Sequence, residues 1–187
     1  MLTDPVPRKN RSEYLKSDQI KTLDLPTDRS LQEVTVNIES AMQLGRMSEV
    51  RRHCEEFLTV ASRFYKVPRC GVRVLASRPL RIRENWTTEL FGDYTPHTMV
   101  VRVWMRTAVR KEITSFGTFF STLTHEFCHH LDFQLFHFPD SWHTRGFYER
   151  AAAMYHHSRG TPRKPLCWVR MGRKRWRIDW QKTARGR

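Results

Sequence analysis

Apolar residues recur along this chain with two different periods, and the changes of period divide it into segments. Up to about residue 27 no period is visible. That stretch is polar, carries Pro5, Pro7 and Pro26, and reads as a flexible arm. Leu31, Val34, Ile38, Met42 and Leu44 then fall partly at helical spacing. A clearer helix follows in "RMSEVRRHCEEFLTVASRFYKVP". Val50, Cys54, Phe57, Ala61 and Phe64 form its apolar stripe, Ser48 is a candidate cap, and Pro68 stands just past its end.

From Gly71 the period drops to two. "GVRVLA" alternates, with Val72, Val74 and Ala76 on one face. "ENWTTELFGDYTPHTMVVRVWMRT" predicts a strand, a turn over Gly92 to His97, and a second strand. In the second strand Met99, Val101, Val103 and Met105 face one way, and Val100, Arg102, Trp104 and Arg106 the other. One buried face and one partly solvated face suit a strand on the outer side of a small sheet. Such a strand could take an extended substrate by strand addition.

After Ile113 the helical period returns through Phe116, Phe119, Phe120, Leu123, Phe127, Leu131 and Leu135, with Thr114 or Ser115 as cap. "FPDSWH" interrupts it. A further helix carries Phe147, Ala151, Met154 and Tyr155, with Asp140 or Ser141 as cap and Gly160 near its end. The fold class this predicts is α+β: a small sheet packed on an N-terminal helix and on the long helix after Ile113.

That long helix carries the candidate chemistry. It contains "HEFCH", the pattern His-Glu-x-x-His. His125 and His129 are four residues apart, about 400° of rotation, so both imidazoles leave one face a turn apart. That face is not the apolar stripe. Two imidazole nitrogens can then reach one ion, while Glu126 sits at the edge of the same face, placed to hold a water. A catalytic zinc takes three protein ligands and keeps one position open. His143 lies fourteen residues past His129 and Glu149 twenty past it. The two are roughly 120° off a common helical face, so a regular helix offers one of them. His143 is favoured and Glu149 is the alternative. Tyr148, Tyr155, Arg145 and His130 are candidates to stabilise an oxyanion.

Composition adds the partners. No apolar run approaches a membrane span, and "MLTDPVPRKNRSEYLKSDQ" has no apolar leader. The four cysteines are scattered, which suits a reducing cytosol. Net charge is +14, and +10 of it lies between Arg159 and Arg187. There "LCWVRMGRKRWRIDW" alternates on both sides of Gly172 and predicts a β-hairpin over part of 161–187. Cys167, Val169 and Met171 share one face of its first arm; Trp176, Ile178 and Trp180 share one face of its second. Arg170, Arg173, Lys174, Arg175 and Arg177 are left to meet phosphates of DNA or another nucleic acid. The expected organisation is an arm over 1–27, one domain over 28–160, and this basic extension, acting as a cytoplasmic monomer.

"HEFCH" followed fourteen residues later by "HTRGF", behind a sheet rich in β-branched residues, resembles the SprT-like zincin metalloproteases. That group includes the Spartan-type proteases of DNA–protein crosslinks, and the YgjP-like hydrolases share the layout. The resemblance covers about residues 45 to 158. It implies a zincin-like fold, a Zn2+ ion on His125, His129 and His143, Phe147 packed under the third histidine, and Glu126 as general base in peptide hydrolysis. The chain lacks the cysteine zinc ribbon that many such proteins add, and has Thr144 where a glycine is frequent. Two other classes remain open on the sequence: a nucleic-acid-binding protein with a structural or vestigial zinc, and a zinc hydrolase of a non-peptide substrate.

Overall fold

The computed structural model describes residues 1–83 and 86–186, and the side chains of these except at 81–83, 86–88 and 173. The architecture is α+β. Helices α1 (Arg11–Gln19), α2 (Ser30–Gln43) and α3 (Met47–Phe64) precede the strands. Strands β1 (Gly71–Ser77), β2 (Leu80–Arg83), β3 (Trp86–Glu89), β4 (Gly92–Thr95) and β5 (Val100–Arg106) lead into α4 (Phe116–Gln134) and α5 (Arg145–Arg159). Then come β6 (Trp168–Met171), β7 (Arg175–Ile178) and α6 (Trp180–Arg185). Among the described residues no helix is long and apolar enough to cross a membrane.

One core joins the helices to the main sheet. Leu31 and Ile38 of α2, Phe57 and Leu58 of α3, Val101 and Val103 of β5, and Phe120, Leu123 and Phe127 of α4 are all fully buried in it. The helical stripes therefore face inward where the periodicity put them, except at two ends. Leu44 and Phe64 are exposed because each lies at or past the last turn of its helix. The first turn of α3 also differs: Ser48 lies inside the helix, and Arg46 at the cap position makes no side-chain capping bond.

The main sheet has the order β1-β5-β4, with β1 parallel and β4 antiparallel to β5. This corrects the placing of the strand over Met99–Met105. β5 is the central strand, and both its edges are paired. Burial alternation reports which face of a strand is covered, and edge pairing lies at right angles to that. The residues read as a turn supply the true edge: Gly92–Thr95 is β4, and the turn proper is Pro96–Met99. Glu84 and Asn85, at the start of that predicted strand-turn-strand stretch, lie outside the described residues.

The N-terminal stretch read as a flexible arm is also revised. Residues 11–19 form α1, and Thr3, Tyr14 and Ser17 are buried. The contact with α5 depends on Gly146. A Cβ there would fall 2.1 Å from Ser17 O and 2.6 Å from Ile20 O, so only glycine lets the end of α1 approach α5 this closely.

Both late helices are capped as N-caps should be. Ser115 Oγ accepts from Thr118 N at 3.2 Å at the start of α4. At α5 the cap is Thr144, which accepts from Phe147 N at 3.0 Å, not Asp140 or Ser141. Those two stay in the loop before it. The C-terminal hairpin is present as β6 and β7, joined by a 3-10 turn over Gly172–Lys174. Its docked face differs in β6. Trp168 pairs with Ile178, so Trp168 turns toward the core with it, while Met171 is exposed.

Candidate metal centre

The stripe of α4 fixes the rotation of that helix on the core, and this turns His125 and His129 away from it together. The loop after α4 returns the chain so that His143 stands one residue before the cap of α5. The three rings meet. His125 Nε2 lies 3.1 Å from His143 Nε2 and 3.2 Å from His129 Nε2. The ligand atoms of all three lie within 4.8 Å of one another. A tetrahedral ion with bonds of about 2.0–2.1 Å holds its ligands about 3.3 Å apart, so the spacing fits one ion. Phe147, fully buried, lies beneath: its ring stacks on His129 at 4.5 Å and meets His125 edge-on at 4.8 Å.

Hydrogen bonds behind the rings decide which nitrogen faces inward. Arg150, 1% exposed, donates to Asp132 Oδ1 at 2.7 Å and to the carbonyls of Ser17 and Ile20 at the end of α1. Ser141 Oγ donates to Asp132 Oδ2 at 2.7 Å and lies 2.7 Å from His129 Nδ1. With its proton given to Asp132, Ser141 accepts from His129 Nδ1–H. His129 Nε2 is then a lone pair aimed at the other two rings. Asp132 is fully buried and acts on His129 through Ser141.

Burial pushes His125 down to about 3, with the nearby His143 adding to the effect. Burial likewise holds His129 well below its ordinary value, with His125, His143 and Arg150 adding to it. Both rings are neutral near pH 7. Neutral imidazoles in this arrangement cannot fully satisfy one another. A proton on His125 Nε2 can point at one neighbour at a time, whereas a cation satisfies three lone pairs at once.

Glu126 is 7% exposed on the groove side of α4. Burial, with Asp93 second, raises its carboxyl to about 8. A divalent cation beside it would pull that value back down. Gly92 brings β4 across this point. A Cβ at Gly92 would lie 2.4 Å from Thr122 Cγ2 and 3.0 Å from Glu126 Oε1, so a side chain there would push the edge strand off the helix. A groove of about 850 Å³ has Gly92, Asp93, Tyr94, Glu126, His129 and His143 in its lining. A cavity of about 350 Å³ shares His125 with it and is lined further by Tyr148, Ala151, Tyr155, Leu166 and Ile178.

The other sequence candidates are placed elsewhere. Glu149 is turned from the histidines: its carboxylate accepts from Arg163 and from Trp168 Nε1. The Tyr148 ring stacks on His143 at 5.7 Å, and its hydroxyl donates to Leu2 O at 3.3 Å. Tyr155 reaches the smaller cavity and is not in the groove lining. Arg145 pairs with Asp18 and lies over the Trp176 ring at 4.6 Å. His130, fully buried, donates Nε2–H to Pro68 O at 2.9 Å and accepts from Tyr94 OH at 2.9 Å, which makes it a strut between α4 and β4. On the hairpin Arg170, Lys174 and Arg177 are exposed. Arg175 is half-buried and donates to Thr3 O at 2.9 Å, and the side chain of Arg173 lies outside those described.

Sequence reasoning missed Ser141 as a partner of His129, and it missed β4. Gly92 in an otherwise alternating stretch was the available signal for β4. The chain matches no protein-family model, no curated protein and no solved structure.

Proposed function

We propose that the chain is a zinc-dependent metallopeptidase with a zincin-like site. The observation that carries this reading is the convergence of three imidazoles at ligand spacing, with buried Glu126 beside them. His125, His129 and His143 would hold the ion. When bound, zinc would polarise a substrate carbonyl and make water more acidic. Glu126 takes a proton from the attacking water and returns it to the departing amine. Among the described residues no strand pairs with the outer edge of β4, which borders the groove and offers its backbone groups to an extended peptide, the role first read onto the strand over Met99–Met105. Among the described residues no fourth ligand joins the three, and a structural zinc is usually closed by four. A base beside an open position favours catalysis over a structural ion.

Metal analysis after zinc loading should find about one ion per chain. The loaded protein should cleave an unfolded protein such as denatured casein, stop when a chelator is added, and resume with zinc. Failure to take up zinc would remove the metal reading. Uptake with no cleavage across a peptide library would leave a hydrolase of another substrate or a metal-holding binding protein.

The basic extension supports recruitment to DNA as an addition to this reading. Arg170, Lys174 and Arg177 stand exposed on the hairpin. Three phosphate contacts give a log–log salt slope of about −2.7 on duplex DNA. A retardation assay should show sequence-independent binding with a slope near this, flattened in Arg170→Glu/Arg177→Glu. No binding at low salt would leave the hairpin as a structural element.

A further inference from the structure

His143 is held by a residue 139 positions away. Its backbone N–H donates to Asp4 Oδ2 at 2.8 Å, and its ring Nδ1 lies 3.3 Å from the same oxygen. Asp4 N returns a bond to His143 O at 3.0 Å. A carboxylate can only accept, so Nδ1 carries the proton. Nε2, the atom 3.1 Å from His125 Nε2, is left as the lone pair.

Asp4 is itself fixed from two sides. Tyr14 of α1 donates to Asp4 O at 2.8 Å. The residues before it run beside β7, joined to it by an antiparallel β-bridge between Leu2 and Arg177. Thr3, fully buried, donates from N to Trp176 O at 2.8 Å and accepts at Oγ1 from Trp176 N at 2.9 Å. Ile178 N donates to Met1 O at 3.1 Å. The hairpin thus carries the N-terminal segment, and that segment carries Asp4 to His143.

We infer that Asp4 is a positioning residue of the metal site, which sets the tautomer and ring orientation of His143 from the opposite end of the chain. The inference rests on the metal reading above. Its counterpart on His129 is Asp132 acting through Ser141. An outer carboxylate of this kind orients a histidine ligand and raises its basicity.

The test is a zinc titration against a chelating competitor, run on the full chain as wild type, Asp4→Asn and Asp4→Glu. Asparagine keeps the shape and can still accept from His143 N–H, but it loses the charge facing Nδ1–H. The dissociation constant should rise about 10–100-fold in Asp4→Asn. It should recover at least in part in Asp4→Glu. The melting temperature of the metal-free protein should fall only slightly in Asp4→Asn, since the His143 N–H bond is kept, and the visible spectrum of its cobalt-substituted form should shift. Zinc affinity equal to wild type in Asp4→Asn overturns the role of Asp4 and leaves the metal site standing. A wild type that binds no zinc overturns both. Should Asp4→Asn destabilise the metal-free fold, Asp4→Glu decides: recovered affinity supports the role, and weak affinity on an intact fold overturns it.

Discussion

Glu126→Gln is expected to keep its full complement of zinc and to lose peptide hydrolysis by on the order of 10²–10⁴-fold. Glutamine matches the shape of the side chain, and Glu126 is not one of the three converging histidines. The amide cannot take a proton from water at neutral pH. Metal content and turnover should therefore separate in this variant. Turnover equal to wild type would remove Glu126 from the mechanism. Loss of zinc along with turnover would mean that Glu126 acts on the site rather than on the water. The metal-free protein supplies a second readout. Burial raises the folded-state value of Glu126 to about 8, so the fold prefers the protonated form. The cost to stability is absent below the unfolded value, near 4.3, and grows as pH rises toward 8. Metal-free Glu126→Gln should accordingly melt above metal-free wild type at pH 8, and the gap should close at acid pH. Melting curves at a series of pH values check this.

His143→Ala is expected to weaken zinc binding by more than the roughly 10–100-fold that follows the loss of an outer partner, because on the proposed reading it removes a ligand atom itself. Hydrolysis should fall with it. Glu149→Gln should retain both zinc and activity, since the Glu149 carboxylate is engaged by Arg163 and Trp168. Its effect should be a modest loss of stability where the hairpin meets α5. Equilibrium dialysis with both variants is decisive. Zinc lost in Glu149→Gln and kept in His143→Ala would reverse the ligand assignment. Zinc kept in both would mean that neither His143 nor Glu149 is needed as the third ligand.

Several parts of this molecule were legible in its sequence for a plain reason: they are set by local geometry. The 3.6-residue period of Phe119, Phe120, Leu123 and Phe127 gives the rotation of α4, and that rotation places His125 and His129 side by side. Alternation gave β5 its buried face, and the alternating stretch around Gly172 gave the basic hairpin. None of these requires knowing what the segment packs against. Alternation says nothing about sheet edges, so the edge strand was misplaced by one element. Caps were misassigned at α3 and α5; at α5 several polar residues compete and tertiary partners choose among them. Ser141, a good cap by type, is drawn off to Asp132 and His129.

The sequence by itself determined an α+β chain with a helix that presents two histidines and a glutamate together, because covalent spacing and helical period leave no alternative. The third histidine, the burial of Asp132 and Glu126, the passage of β4 over the site at Gly92, and the reach of Asp4 to His143 were decided by the tertiary structure. Each joins segments whose separation along the chain carries no periodic signal. Their approach depends on how all the apolar faces pack at once, and that is a property of the whole core.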